Sequence, residues 1–314
     1  MIDKKSSLLT NSVVLCLLAT ICCALWGSAF PGIKIGYRLF NISTDDFQSQ
    51  ILFAGVRFLI SGLLTIIIGS IFNKGILKPH KDSWGRIVKL CIFQTVLQYL
   101  FFYIGLAHAS GVKASIIEGS NVFISILMAS LIFRQEAFTW KKVIGCILGF
   151  AGVVLVNLNG ANLNLSMSFI GEGFVFLSTI AYALSSVLIK NYSKFDSPVM
   201  LSGYQFVCGG FFMIALGLVS GGRLSNITWP GIAMLGYLSF LSAIAYTLWS
   251  ILLKYNSVSK VSVWGFTNPV FGVIFSALFL NESQNTFGLQ TVAALLLVCL
   301  GIFVVNSAKE VQPF

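Results

Sequence analysis

A glutamate, an asparagine and a serine share one helical face within an otherwise apolar segment. Glu118, Asn121 and Ser125 follow one another at intervals of three and four residues within 112–133, which is the spacing of a single helix face. A charge in hydrocarbon costs about 3 kcal/mol or more, so this face should avoid lipid. It could line a solute cavity or hydrogen-bond to neighbouring helices, and the spacing leaves both interpretations open.

Two further groups of polar side chains interrupt the apolar segments. Gln94 and Gln98 are one helical turn apart, so both should point inward. Arg57 lies in the outer half of the second apolar segment. We expect it to pair with Glu118, because an isolated charge would cost more. In the alternative interpretation, Glu118 takes up a proton or binds the amine group of a substrate.

Aromatic rings and a second amide complete the candidate substrate-binding set. A cavity between these segments would be walled by Trp26, Tyr99, Tyr182, Tyr246 and Trp264, with Asn268 supplying the second amide. For each ring, packing or anchoring at the membrane interface is the competing interpretation. No Cys/His cluster or CxxC pair suggests a metal or a cofactor, because all seven cysteines fall inside apolar runs.

The elements that carry these residues must lie in a bilayer. The chain is 57% hydrophobic and only 10% charged, with a mean hydropathy of +0.90, whereas soluble domains carry about 25% charged residues. The net charge of +10 does not indicate nucleic acid, because the basic residues form short clusters between apolar runs. The expected partners are therefore the lipid bilayer and a small-molecule substrate.

Ten segments are long and apolar enough to cross a membrane as helices. They are 12–33, 48–72, 86–107, 112–133, 142–158, 169–190, 198–219, 230–253, 260–280 and 287–307. With a cytoplasmic N-terminus, fifteen lysines and arginines face inward and four face outward. This bias predicts that both termini are cytoplasmic in a plasma (inner) membrane protein.

An internal repeat divides the chain. Residues 98–121 match 245–268 at an offset of 147, which aligns Tyr99 with Tyr246, Lys113 with Lys260 and Asn121 with Asn268. The predicted repeats are 1–165 and 166–314, with five spans each. Because five is odd, the second copy is inverted, and inverted repeats place a substrate site between the copies near the midplane. Lys113, with its counterpart, is expected at a surface turn, whereas Gly265 takes the place of Glu118.

The sequence resembles the EamA type of the drug/metabolite transporter superfamily. The resemblance rests on "ALWGSAFPGIK" (24–34), on "GVRFLISG" (55–62) and on an "E…G…GV" type of ending in each half. That pattern comprises Glu136, Gly145, Gly149 and Gly152 in the first half, and Glu282 and Gly301 in the second. The resemblance implies an all-helical fold of two inverted five-helix repeats around a central cavity, and small-molecule transport, often the export of amino acids or related metabolites.

The sequence favours a secondary active or facilitative exporter of amino acids or similar small metabolites that works by alternating access. A nucleotide-sugar or sugar-phosphate exchanger of the same fold is the alternative, although only Arg57 is clearly basic at cavity depth. A non-transporting receptor or a membrane-embedded enzyme is the alternative from a different class. The glycine stripe Gly145–Gly149–Gly152 predicts close helix packing, either within the chain or in a homodimer through peripheral helices.

Overall fold

The computed structural model describes residues 7–109, 111–157, 168–280 and 289–308, and every regular element in these ranges is helical. The side chain of Lys113 and the whole of Glu282 lie outside the described residues, as do the basic residues at both chain ends.

The first half consists of α-helices, and short π-helical stretches adjoin three of them. Its α-helices are α1 (Ser12–Leu39), α2 (Phe47–Phe72), α3 (Ser83–Leu90), α4 (Gln98–His108), α5 (Gly111–Gly119), α6 (Asn121–Leu127) and α7 (Trp140–Asn157). A π-helical stretch, Cys91–Leu97, joins α3 to α4, and a second one, Met128–Ile132, follows α6.

The second half likewise consists of α-helices interrupted by short stretches of other helix types. Its α-helices are α8 (Phe174–Tyr192), α9 (Pro198–Val219), α10 (Trp229–Tyr255), α11 (Val258–Ser262), α12 (Thr267–Leu280) and α13 (Leu289–Asn306). A π-helical stretch, Phe169–Gly173, precedes α8, and a 3₁₀ turn, Val263–Phe266, joins α11 to α12.

Seven of these helical stretches are long and apolar enough to cross a bilayer. They are 12–39, 47–72, 83–106, 169–192, 198–219, 229–255 and 289–306, and a shorter apolar helix covers 116–132. The other segments predicted to span, 112–133, 142–158 and 260–280, fall on α5 with α6, on α7, and on α11 with α12. The chain is thus an all-helical multi-pass membrane protein, and the count of ten spans stays a prediction.

Local sequence signals explain where the long helices begin. The Asn11 side chain accepts the backbone N–H of Val13, and Asp46 accepts that of Ser49, so each caps the helix that follows. The interruptions have different causes. Pro269 lies in the first turn of α12, just after the 3₁₀ turn, where a missing N–H is tolerated. The break between α5 and α6 has no proline, and Ser120 there donates to the Ile117 carbonyl at 2.6 Å.

Glycines bring α2 and α9 into backbone contact. Gly55 and Gly62 lie seven residues apart on α2, as Gly203 and Gly210 do on α9. A Cβ at Gly62 would lie 2.6 Å from the Gly203 carbonyl oxygen, and one at Gly210 would lie 2.9 Å from that of Gly55. In a membrane, where lipid is as apolar as leucine, this kind of close approach drives helix association.

The glycine stripe of α7 also packs within the chain. A Cβ at Gly145 would lie 2.7 Å from the Gly301 carbonyl oxygen on α13, and one at Gly152 would lie 2.7 Å from that of Ala294. Gly149 faces the ring of Phe266. Of the two predicted uses, the stripe therefore serves packing between α7 and α13. A homodimer would need other faces of these helices and remains a prediction.

We expect Gly62→Ala to destabilise the protein, since its new methyl group would meet the Gly203 carbonyl and the Val207 N–H, both backbone atoms at 2.6 Å. Overpacking of this kind costs about 1–3 kcal/mol. The measurement is the thermal unfolding midpoint of the purified protein in detergent. The matched control is Gly236→Ala, because a Cβ there meets no atom within 4 Å. Equal midpoints for the two variants would contradict the assigned α2–α9 contact.

Candidate substrate-binding site

Two tyrosines from different halves of the chain meet at the centre of an aromatic cluster. The hydroxyl oxygens of Tyr99 on α4 and Tyr246 on α10 are 2.7 Å apart, a hydrogen-bond distance. Tyr246 is almost fully buried, and Tyr99 and Tyr182 pack in the same cluster. With Trp26, the structure therefore brings together four of the five aromatic residues that were predicted to form a cavity wall.

Trp26 joins this cluster from α1. Its ring contacts those of Tyr246 and Trp249 edge-on, with centroid distances of 5.1 and 5.0 Å. The indole Nε1 atoms of Trp26 and Trp249 are buried, and neither has a hydrogen-bond partner among the described residues. An indole N–H usually finds a partner when buried, so both groups are available to a polar solute or to water.

A stacked pair of phenylalanines lies beside the tyrosines. Phe58 and Phe206 are fully buried, with ring centroids 5.1 Å apart and planes at 20°. Phe58 contacts Tyr99 at 4.5 Å, and Phe206 contacts Tyr246 at 5.0 Å. Neither phenylalanine was among the residues predicted from the sequence to form the site. A signal was present, since each phenylalanine lies between the two close-packed glycines of its own helix.

Arg57 is buried beside the phenylalanine pair, at 3% exposure. Its guanidinium lies 5.3 Å from the Phe58 ring centroid. It donates to the Ser242 hydroxyl through Nε and Nη2, at 2.9 and 2.7 Å, and to the Leu238 carbonyl at 3.3 Å. Arg57 thereby links α2 to α10, and it takes part in none of the ion pairs among the described residues.

The expected pair between Arg57 and Glu118 is not formed, so that prediction was wrong. Neutral oxygens of α10 supply the acceptors that Arg57 requires, and Glu118 accepts from the Ser178 hydroxyl at a long 3.4 Å. Ser178 lies one turn before Tyr182 on α8. The structure therefore leaves the guanidinium of Arg57 and the carboxyl group of Glu118 without an ion pair between them.

A neutral counterpart of the Arg57 contact lies across the α2–α9 interface. The Thr95 hydroxyl donates to Gln205 Oε1 at 2.6 Å, and both side chains are buried. Gln205 follows Arg57 by 148 positions, and Ser242 follows Thr95 by 147. The same arrangement therefore occurs twice, but only one copy carries a charge.

The remaining predicted residues of the Glu118 helix face form a second group. Ser125 is fully buried on α6, and its hydroxyl has no partner among the described residues. Asn121 faces Gly265, where a Cβ would lie 3.8 Å from Asn121 Oδ1. The absence of a side chain at Gly265 thus permits the close approach of Val122, whose Cγ2 would lie 3.2 Å from such a Cβ.

Trp264 precedes Gly265 in the 3₁₀ turn, and Asn268 lies at the start of α12. The Trp264 carbonyl accepts from the Cys23 thiol at 3.3 Å, and Trp264 packs against the same apolar cluster as Trp26. The indole nitrogen of Trp264 and Oδ1 of Asn268 are buried without a partner in the described structure. Both groups can therefore still form a hydrogen bond.

Gln94 and Gln98 are less closely tied to the aromatic cluster. Their Oε1 atoms are buried, as the prediction of an inward orientation requires, and have no partner within the described ranges. No described side-chain hydrogen bond or ring contact joins either glutamine to the cluster. Their role as substrate contacts remains a prediction.

We expect Tyr99→Phe and Tyr246→Phe to have similar, non-additive effects on stability, because both remove the same hydrogen bond. A neutral bond contributes about 0.5–1.5 kcal/mol, and the double variant should cost little more than either single one. The measurement is a double-mutant cycle on unfolding midpoints. Tyr204→Phe is the control, since the Tyr204 hydroxyl makes no hydrogen bond to another described residue. Strictly additive losses would rule out a direct Tyr99–Tyr246 bond.

Comparison with known sequences identifies relatives over almost the whole chain. YvbV of Bacillus subtilis (strain 168), described as an uncharacterized transporter, is 27% identical over 304 residues, covering 94% of this chain and 92% of YvbV. An uncharacterized transporter of Archaeoglobus fulgidus is 30% identical over 291 residues, covering 90% of this chain and 96% of its own length.

The fold also has a counterpart among solved protein structures. One crystal structure superposes with a TM-score of 0.73 at 15% sequence identity, and the match covers 94% of this chain and 97% of the other. The model of the EamA-like transporter family matches residues 13–158 and again residues 169–307. This protein therefore belongs to the EamA-like transporter family.

Proposed function

We propose that this protein is a secondary active or facilitative transporter that exports amino acids or similar small zwitterionic metabolites by alternating access. The observation that carries the proposal is the pair of unneutralised charges around the aromatic cluster. Arg57 is held by neutral oxygens of α10 and Glu118 accepts from the Ser178 hydroxyl, and no ion pair joins the two among the described residues. Two opposite charges, held apart and partly desolvated, match a substrate that carries one charge of each sign.

The chemistry of each group fits one end of an α-amino acid. A guanidinium binds a carboxylate through two parallel N–H···O bonds, and Arg57 has only neutral oxygens as present partners. A carboxylate such as Glu118 pairs with an ammonium group. The rings of Trp26, Tyr99 and Tyr246 would contact an apolar side chain and attract the ammonium through their faces.

The other candidate substrates and classes are less well supported. A phosphate or a nucleotide sugar calls for several basic groups, and in the described aromatic cluster Arg57 supplies the positive charge alone. An enzyme is not favoured either, because the relatives are named as transporters. We therefore retain a small zwitterion as the proposed cargo.

Alternating access rests on the proposed architecture of ten spans in two inverted repeats, 1–165 and 166–314. Helix packing supports it, because α2 packs on its equivalent α9, and α7 packs on its equivalent α13. Contacts between non-equivalent helices are also repeated. In one half, α1 packs on α10 and α12, and its equivalent α8 packs on their equivalents α4 and α6. Tyr99 with Tyr246 and Phe58 with Phe206, each repeat-related, meet where a two-fold axis would pass.

Contacts of α8 with α10, and of the first half with the second, close the end of the protein that we assign to the cytoplasm. Lys190 Nζ donates to the carbonyls of Leu253 and Asn256 at 3.1 and 2.5 Å. Glu136 accepts the Ser259 backbone N–H at 3.2 Å and its hydroxyl, and it pairs with Lys142 at 3.2 Å. We assign these contacts to a cytoplasmic gate in the plasma membrane, with both termini on the same side, from the distribution of basic residues.

The charge assignments predict complementary losses of specificity. Glu118→Gln should reduce transport of an amino acid more than that of the matching 2-hydroxy acid, because only the amino acid carries an ammonium group. Arg57→Gln should reduce transport of an amino acid more than that of its amide, which lacks the carboxylate. Loss of one charge-assisted contact corresponds to about 10-fold or more in transport efficiency. The measurement is solute uptake into proteoliposomes.

Charge-matched surface variants provide the controls for this experiment. Arg223→Gln and Asp45→Asn remove exposed charges outside the cluster and should leave both ratios unchanged. If Glu118→Gln and Arg57→Gln reduced all solutes equally, the two charges would be structural, and the zwitterion assignment would be overturned.

The gate and its orientation can be tested by thiol labelling. Cys22 and Cys23 are fully buried in the apolar cluster that contains Leu252 and Leu253. In a variant retaining only these two cysteines, Lys190→Met should increase their labelling several-fold, because the gate contacts to α10 are lost. A membrane-impermeant maleimide should produce this increase in inside-out vesicles and not in right-side-out vesicles.

Lys194→Met is the matched control, since Lys194 is exposed, close in sequence and without a side-chain contact to another described residue. Labelling from the outer face would reverse the proposed orientation. Unchanged labelling of Lys190→Met from both faces would remove Lys190 from the gate.

A further inference from the structure

A crevice of about 460 Å³ lies between α2, α9 and α10, at the end that the charge distribution assigns to the cytoplasm. Its walls are largely apolar and include Leu77, Val199, Leu248 and Ile251. The volume lies within the range of sites that hold small molecules, which is roughly 300–1,000 Å³. The site is separate from the aromatic cluster, since none of its lining residues belongs to that cluster.

We propose that this crevice binds an anionic phospholipid, with an acyl chain between the helices and the phosphate at Lys74 and Lys78. The proposal concerns the membrane environment of the protein and does not depend on the transported substrate.

The path of α2 relative to α10 explains why the crevice exists. Arg57 ties α2 to Leu238 and Ser242 of α10. Towards the other end of α2, Thr65 and Thr247 line the crevice, and their buried hydroxyls have no partner among the described residues. No described side-chain hydrogen bond therefore closes α2 onto α10 at this level, and a space opens between them.

The mouth of the crevice is positively charged. Asn73 and Leu77 line it, and Lys74 and Lys78 follow them directly in the chain. Both lysines are exposed, and neither forms an ion pair with a described residue. Clusters of basic residues just outside the hydrocarbon layer attract anionic lipid headgroups.

The surroundings favour a lipid over a second substrate molecule. Phe72 lines the crevice with 85% of its surface exposed, and Ile71 beside it is 69% exposed, so this rim faces the acyl chains of the bilayer. The lining contains no charged residue that could pair with a buried zwitterion. An acyl chain requires no such partner, and the adjacent lysines match the single negative charge of a phosphodiester.

The test uses the full-length protein in vesicles that contain equal amounts of phosphatidylglycerol and phosphatidylcholine, one of which carries a photoactivatable diazirine on its acyl chain. Cross-linked peptides are identified by mass spectrometry. We expect the phosphatidylglycerol probe to label peptides that contain Val199, Thr247 or Ile251, and to do so more strongly than the phosphatidylcholine probe.

Two kinds of variant separate the headgroup from the tail. Lys74→Gln combined with Lys78→Gln should lower the preference for the anionic probe by on the order of tenfold. These residues lie in an exposed loop, so the fold is not at risk. Ala243→Phe should fill the crevice and reduce labelling by both probes. The control is Lys89→Gln with Lys141→Gln, which removes two exposed basic residues from helices that do not line the crevice.

Three results would overturn the proposal. Equal labelling by the two probes would mean an apolar crevice without headgroup recognition. Labelling confined to helices outside the crevice would mean no site. Suppression of crevice labelling by an added amino acid would make the crevice part of the transport route. The first two results would leave the proposed transport function unaffected.

Discussion

The close approach of α2 and α9 is the contact on which the rest of the candidate site depends. Gly55, Gly62, Gly203 and Gly210 remove side chains from the crossing, so two backbones meet where larger residues would hold them apart. Only at that separation can Phe58 stack on Phe206, and that stack supports the rings of the hydrogen-bonded tyrosines. Association in lipid relies on such packing, because no hydrophobic effect draws helices together there.

Hydrocarbon also makes each buried polar group costly, and this constraint explains how Arg57 is held. An unpaired guanidinium would cost several kcal/mol, roughly, yet a hydroxyl and a carbonyl of α10 satisfy part of its donor set without neutralising its charge. The side chain is thus fixed in position while it still attracts an anion. The neighbouring indole and amide groups without partners have the same property, since they are positioned by packing and remain free to bind.

The sequence could predict those features of the site that composition and periodicity reveal, and not those that depend on how the helices are placed in three dimensions. Membrane helices, the repeat and the inward polar residues depend on composition and period, which the chain displays directly, and the repeat aligned Tyr99 with Tyr246. The partner of Arg57 depends on the relative rotation of α2, α5 and α10, which no one-dimensional pattern encodes. Phe58 and Phe206 were missed because apolar residues in an apolar segment carry no polarity signal. The break at Ser120 lacked a proline, so the continuous segment 112–133 was predicted across it.

Two repeat-related contacts, Arg57–Ser242 and Thr95–Gln205, differ in charge, and this difference has an energetic consequence under the proposed alternating access. If inverted repeats exchange conformations, the Arg57–Ser242 contact and its counterpart, Thr95–Gln205, change roles between the two states. A bond to a charged group contributes about 1.5–3 kcal/mol and a neutral one about 0.5–1.5 kcal/mol. If one state loses the charged contact and the other the neutral one, the difference of about 1 kcal/mol would make the two populations unequal by roughly fivefold. Under the proposed alternating access, the two repeats would thus be related by approximate symmetry while the two states differ in population, and a carboxylate bound at Arg57 would shift that balance.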